Sequence, residues 1–153
     1  SATGAAYGLS FTTSTITGSN RAERMLIDNL GNVGIGTASP AEKLDVVGNI
    51  KWSGSTNENV FTITDGTVDL DPSNGTIQLW TLGASRSPTA TGFDAGQSMT
   101  LMVDDGSAYT ITWPSVTWKT DGGVAPTLNT TGYTVIQLWK VSTVLYGARV
   151  GDA

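Results

Sequence analysis

Arg24-Met25-Leu26-Ile27-Asp28-Asn29-Leu30-Gly31-Asn32-Val33-Gly34-Ile35-Gly36 is the stretch on which the fold class turns. Apolar β-forming residues flank Asn29-Leu30-Gly31-Asn32, where Gly and Asn tolerate positive φ, so the stretch predicts a short β-hairpin. Downstream, Ser39-Pro40-Ala41-Glu42-Lys43-Leu44 has a capping serine, a proline at the first helical position and a glutamate three residues after the cap. That pattern predicts a single compact helical turn. Leu44-Asp45-Val46-Val47 then returns to β-type residues before a Gly48-Asn49 turn signal.

Composition extends the β reading to the whole chain. Its 153 residues include 24 Thr, 14 Ser and 19 Gly but only three Glu and four Lys, which disfavours helices. Charged residues are 14%, against about 25% in an ordinary soluble domain. With 39% hydrophobic residues, five Trp and a net charge of −5, the chain is not disordered. His and Cys are absent, which excludes disulfides, His or Cys metal sites, Cys nucleophiles and His-based triads within one chain. No apolar run approaches the ~20 residues of a membrane span and no signal peptide is visible, so membrane insertion is not expected. No basic patch exists to attract nucleic acid. The chain begins at Ser1 in a low-complexity stretch and reads as part of something longer.

Large apolar residues are distributed unevenly. In residues 1–50 they are scattered singly among Gly, Ser, Thr and Asn, too sparse for a private core, whereas 101–150 holds about twenty in dense alternating runs. We therefore expect a β-rich, self-associating segment over 1–60 and an all-β, sandwich-like domain over 61–153. Within the latter, Phe61 to Thr64 turns through Asp65-Gly66 into Thr67 to Leu70, and Asp71-Pro72-Ser73-Asn74-Gly75 is a strong turn before Ile77-Gln78-Leu79-Trp80. Met99 to Val103 and Tyr109 to Trp113 predict a hairpin across Asp104-Asp105-Gly106-Ser107; a last hairpin turns near Ser142-Thr143. Ile136-Gln137-Leu138-Trp139 repeats the tetrapeptide of 77–80, either as an equivalent strand of a second sheet or by coincidence.

Candidate chemistry is sparse. Asp69/Asp71 and Asp104-Asp105 are the carboxylate clusters of the second region, but a glycosidase pair must face each other across roughly 5–9.5 Å, and both clusters sit in turns. Asp69-x-Asp71-x-Ser73-Asn74-Gly75 departs from a calcium loop in its glycine position and its missing glutamate. No catalytic residue, cofactor or metal is expected. Trp113 continues the face of Tyr109 and Ile111 and reads as core, as do Trp80 and Trp139. Trp118, beside Lys119 and Asp121 in a loop, reads as a contact residue, because indole faces stack on sugars. Loops 83–96, 104–108 and 118–132 are candidate recognition loops by position, adding Arg86, Asp104 and Asp105 to the site.

Residues 24–28, Gly31-Asn32-Val33-Gly34-Ile35-Gly36-Thr37, Ser39-Pro40, Lys43-Leu44-Asp45-Val46 and Gly48-Asn49-Ile50 together resemble a module of bacteriophage tail fibres and tailspikes. The resemblance covers roughly residues 20–50; the remainder is similar, more loosely, to the β-rich distal tips of such fibres. It implies a short intertwined trimeric β stalk carrying a tip, in a homotrimer on the virion that is made in the host cytoplasm. The tip would bind a host surface glycan or outer-membrane protein during attachment, and the chain would join the rest of the fibre. Two alternatives stand beside it: a purely structural trimerisation tip, and a tailspike-like polysaccharide depolymerase fragment.

Overall fold

A computed structural model describes residues 8–14, 21–104 and 108–152. The protein is all-β, with no helix of seven or more residues among the described residues. It divides into two compact units, Ser1–Thr56 and Asn57–Ala153.

The first unit is a four-stranded sheet ordered β1 (Leu9–Ser14), β2 (Arg21–Ile27), β3 (Val33–Ile35), β4 (Leu44–Val46). The expected hairpin is present: β2 and β3 run antiparallel, with Met25 opposite Ile35 and Ile27 opposite Val33. Its turn is organised by Asp28, whose carboxylate accepts from the backbone N–H of Leu30 and Asn32 at 2.8 Å each, while Gly31 takes φ 75°. The expected helical turn at 39–44 does not form. Residues 38–43 are a succession of bends, in which Thr37 Oγ1 accepts from the Ser39 N–H and Asp45 Oδ2 from the Ala41 N–H. Side-chain acceptors took these amides before a helical ladder could.

Register turns this sheet into a two-faced object. Leu9, Ile27, Val33 and Leu44 lie side by side across the four strands, as do Phe11, Met25, Ile35 and Val46. Side chains alternate between faces, so these eight apolar residues share one face, and Ser10, Leu26, Gly34 and Asp45 share the other. On the apolar face Leu9, Phe11 and Leu44 are 55%, 50% and 52% exposed, and Gly34 is the unit's one buried residue among those described.

The second unit is a six-stranded mixed sheet ordered β5 (Val60–Thr62), β6 (Ile77–Thr81), β7 (Ser98–Asp104), β9 (Thr134–Val141), β10 (Val144–Asp152), β8 (Val116–Trp118). The pairs β5–β6, β6–β7 and β8–β10 are parallel; β7–β9 and β9–β10 are antiparallel. The terminal hairpin forms as expected, turning at Ser142 with φ 55°. The hairpin expected between Met99–Val103 and Tyr109–Trp113 does not: β7 takes β6 and β9 as neighbours, and Ile111 makes an isolated parallel bridge to Arg86. Residues 67–70 likewise form no hairpin with β5; Asp69 bridges Thr89.

One face of this sheet is the core. Trp80, Met99, Leu101, Val103, Ile136 and Leu138 point into it. The layer above them is built from loops, not from a second sheet, through Ile63, Val68, Leu70, Leu82 and Phe93. The repeated tetrapeptides therefore belong to one sheet and turn alternate positions to its core face: Gln78 and Trp80, the second and fourth, are buried in β6, whereas Ile136 and Leu138, the first and third, are buried in β9. Trp139, expected in the core, is half-buried on the outer face.

Close approach within the chain fixes several glycines, Gly34 and Gly147 among them. A Cβ at Gly34 would lie 2.5 Å from the Thr37 carbonyl oxygen, and one at Gly147 would lie 2.6 Å from the Trp118 ring. Gly147→Ala is expected to destabilise the second unit by about 1–3 kcal/mol, the usual cost of overpacking a core. Gly54, with open space around it, should accept Ala with a change within about 0.5 kcal/mol. Urea unfolding of the two variants checks this.

Candidate functional site

The loops that close the core also make a surface cleft. Two segments, Ser87-Pro88-Thr89-Ala90-Thr91 and Trp113-Pro114-Ser115-Val116-Thr117, face one another across about 690 Å³ beside the β9–β10 turn. The prolines fix the backbone at both walls. Five hydroxyl-bearing residues line it, Thr89, Thr91, Ser115, Thr117 and Thr143, with Val144 and Leu145 as apolar lining and Lys140 as the cation. A smaller recess of about 260 Å³ lies beside Tyr109, Trp113 and Leu128.

Two carboxylates hold the loops in place. Asp69 Oδ1 accepts from the Thr89 hydroxyl at 2.6 Å and the Thr91 N–H at 2.8 Å, and Oδ2 from the Thr91 hydroxyl at 2.7 Å and the Gly92 N–H at 3.0 Å. Burial pushes the Asp69 carboxyl pKa up, but these hydrogen bonds outweigh it and the net shift is downward. Because both threonine protons go to Asp69, the hydroxyl oxygens of Thr89 and Thr91 have only lone pairs left to offer. The cleft wall is thus preset to accept hydrogen bonds, the complement of a ligand rich in O–H or N–H donors. Lys140 Nζ donates to the Phe93 carbonyl at 2.5 Å, and its backbone pairs with Gly96 and Gln97, tying the loop to β9.

Asp65 is the second brace. It accepts from Trp80 Nε1 at 3.0 Å, the Gly83 N–H at 3.1 Å and Arg86 Nε at 2.9 Å, and forms a further contact with the other Arg86 nitrogen. The Arg86 hydrogen bonds hold its carboxyl well below the usual carboxylate range. Arg86 also bonds Thr110 and Thr112 through its backbone, clamping the 82–97 loop to the 109–113 segment.

The residues expected to form the site are dispersed. Trp118 is not a loop residue: it ends β8, is 8% exposed, and meets Trp113 edge-to-face at 5.3 Å. Pro114 explains the change, since it stops the alternation that begins at Tyr109, and a new strand starts at Val116 with its inward phase on Trp118. Trp113 is half-buried against the core. Lys119 lies on the outer face, its ammonium 4.9 Å from the centre of the Tyr146 ring, and Tyr146 stacks on Trp139 at 5.8 Å. Arg86 is committed to Asp65. Asp104 ends β7, its carbonyl accepting from the Leu82 N–H. Asp105 lies outside the described residues; Asp121 opens a 3-10 turn over Asp121–Gly123. Trp118, Lys119, Arg86 and Asp104 are not part of the cleft lining. The signal that marks the cleft in the sequence is the pair of Pro-Ser/Thr segments at 87–91 and 113–117.

The carboxylates of the 69–71 region are both engaged by backbone amides. Asp69 serves the 89–92 loop, and Asp71 accepts from the Ser73 N–H at 2.8 Å to cap a 3-10 turn over Pro72–Asn74. No cluster of three or more acidic side chains that could hold a metal occurs among the described residues. The chain matches no protein-family model and no curated protein.

Truncating Trp118 to Ala is expected to cost about 3–5 kcal/mol, the scale of a buried aromatic, measured by urea unfolding. A second expectation concerns acid. Asp65 and Asp69 have depressed pKa values in the folded state. Their contribution is complete above the ordinary carboxylate pKa of about 4 and is lost as pH falls towards the folded values. Urea midpoints should therefore decline below about pH 4. In the Asp65→Asn variant they should start lower at neutral pH and decline less.

Proposed function

We propose that this chain is the distal part of a bacteriophage tail fibre that assembles as a homotrimer and binds a host cell-surface receptor. The observation that carries the reading is the contrast between the two units. The strands β1 to β4 form a sheet with an apolar face and a single buried residue, Gly34, among the described residues, a face that other chains would bury. Residues 57–153 carry their own core and devote two loops to a hydroxyl-lined cleft. The likeness of residues 20–50 to tail-fibre stalk modules supplies the biological setting, and the exposed Leu9, Phe11, Ile35 and Leu44 give that likeness a physical rationale.

The cleft favours a glycan over a protein as the receptor. Sugars present many O–H donors to the acceptor-rich wall, and their C–H faces suit the Pro88, Pro114 and Val144 surface. A single cation in the lining and a net charge of −5 disfavour a strongly anionic polymer.

Light scattering at micromolar concentration should give about three times the 15.9 kDa chain mass. Purified chain should decorate host cells and compete with phage adsorption. Ser115→Tyr, which fills the cleft from an exposed position, should leave the melting temperature unchanged and reduce cell binding at least about tenfold, the scale of a modest hot spot. Undiminished binding by the folded variant would move the receptor site elsewhere. A chain that never binds cells would leave the structural-tip alternative.

A further inference from the structure

The outer face of the six-stranded sheet is as unpartnered as the apolar face of the first unit, and it is larger. Register places Val60, Ile77, Leu79, Met102, Val135, Trp139, Val141, Tyr146 and Ala148 on it, all half-buried or exposed. Thr62, Thr81, Ser98, Thr100, Thr117 and Gln137 interrupt this surface, Thr100 and Gln137 bonded to each other at 2.9 Å. Among the described strand residues, the one charged side chain on this face is Asp104 at the end of β7; the ammonium of Lys119, just beyond β8, stands over the Tyr146 ring.

We infer that this face is a contact surface for another copy of the same chain. Three observations select that occupant. First, β5, β6 and β7 form a parallel block, and parallel strands are stable chiefly where both faces are covered. Here the loops cover one. Second, the face spans six strands about 4.8 Å apart and six residues of β9, a footprint of roughly 25 by 20 Å. That is about 500 Å² before side-chain relief is counted, the order of the ~800 Å² per partner of a stable protein pair. Third, each chain carries a net charge of −5, yet among the described strand residues the one acidic side chain on this face is Asp104 at the end of β7. Copies can meet there with little opposition of like charges. The proposal rests on the chain being a homo-oligomer and adds a second contact to the one made by residues 9–46.

Because the chain has no cysteine, a single introduced thiol reports on the face without background. Ala148→Cys places it among Tyr146 and Gln137, and Thr130→Cys in an exposed loop is the control. At micromolar concentration the Ala148→Cys oligomer is expected to react with a maleimide at least tenfold more slowly than Thr130→Cys. In parallel, Val135→Lys should move the oligomer–monomer midpoint measured by light scattering at least tenfold upward in concentration. Free labelling of Ala148→Cys, protection in a chain that scatters as a monomer, or an unchanged mass in folded Val135→Lys would each overturn the proposal. A wild-type monomer defeats this inference and the trimeric reading together. A wild-type oligomer with a freely reactive Ala148→Cys defeats this one alone.

Discussion

Two aspartates make the second unit possible. A six-stranded sheet needs something over its core face, and this chain provides loops, whose backbone amides have no neighbouring strand to satisfy them. Asp65 and Asp69 answer that need by accepting four hydrogen bonds each from the segments they hold. Asp65 ties the indole of Trp80 in the sheet to Gly83 and Arg86 in the covering loop; Asp69 folds Thr89, Thr91 and Gly92 around itself. Leu82 and Phe93 are thereby delivered into the core from a loop rich in Ser, Thr and Gly. Gln78 plays the same part from below, its buried amide donating to the carbonyls of Asp71 and Gly75.

The cleft follows from that arrangement. Asp69 serves two ends: it closes the loop over the core, and it accepts hydrogen bonds from two threonine hydroxyls that line the cleft. The cleft wall is therefore held by the same bonds that hold the loop over the core, and its polarity is set by a residue lying behind it.

The sequence revealed what is local. The Asp28–Asn32 turn and the Ser142 turn declare themselves through residues at fixed short spacing, and both hairpins form as expected. The all-β class follows from composition. What the sequence hid is non-local or ambiguous in phase. Ile-Gln-Leu-Trp is apolar on both sides of a strand, so nothing in the tetrapeptide says which side faces inward, and β6 and β9 choose differently. Trp118 was misplaced because its parallel partner, Gly147 in β10, lies 29 residues along the chain. The cleft was half visible: its 83–96 loop stood out by position, but the opposing wall at 114–117 becomes a wall only once β8 docks on β10.

Strand order also has a temporal side. β7, at the middle of the sheet, waits for β9, whose first residue comes thirty positions after the last of β7, and β8 cannot add until β10 exists. Ile136, Leu138 and Leu145 complete the core from a segment synthesised after the rest of it. During translation the nascent second unit therefore exposes the unpaired edge of β7 and the indole of Trp118 until residues past 147 have left the ribosome. Such high contact order makes folding slow and leaves the ribosome-bound chain open to mispairing with its neighbours. Low charge gives that intermediate little electrostatic protection. Efficient production of this protein thus depends on the interval between making β7 and making β10.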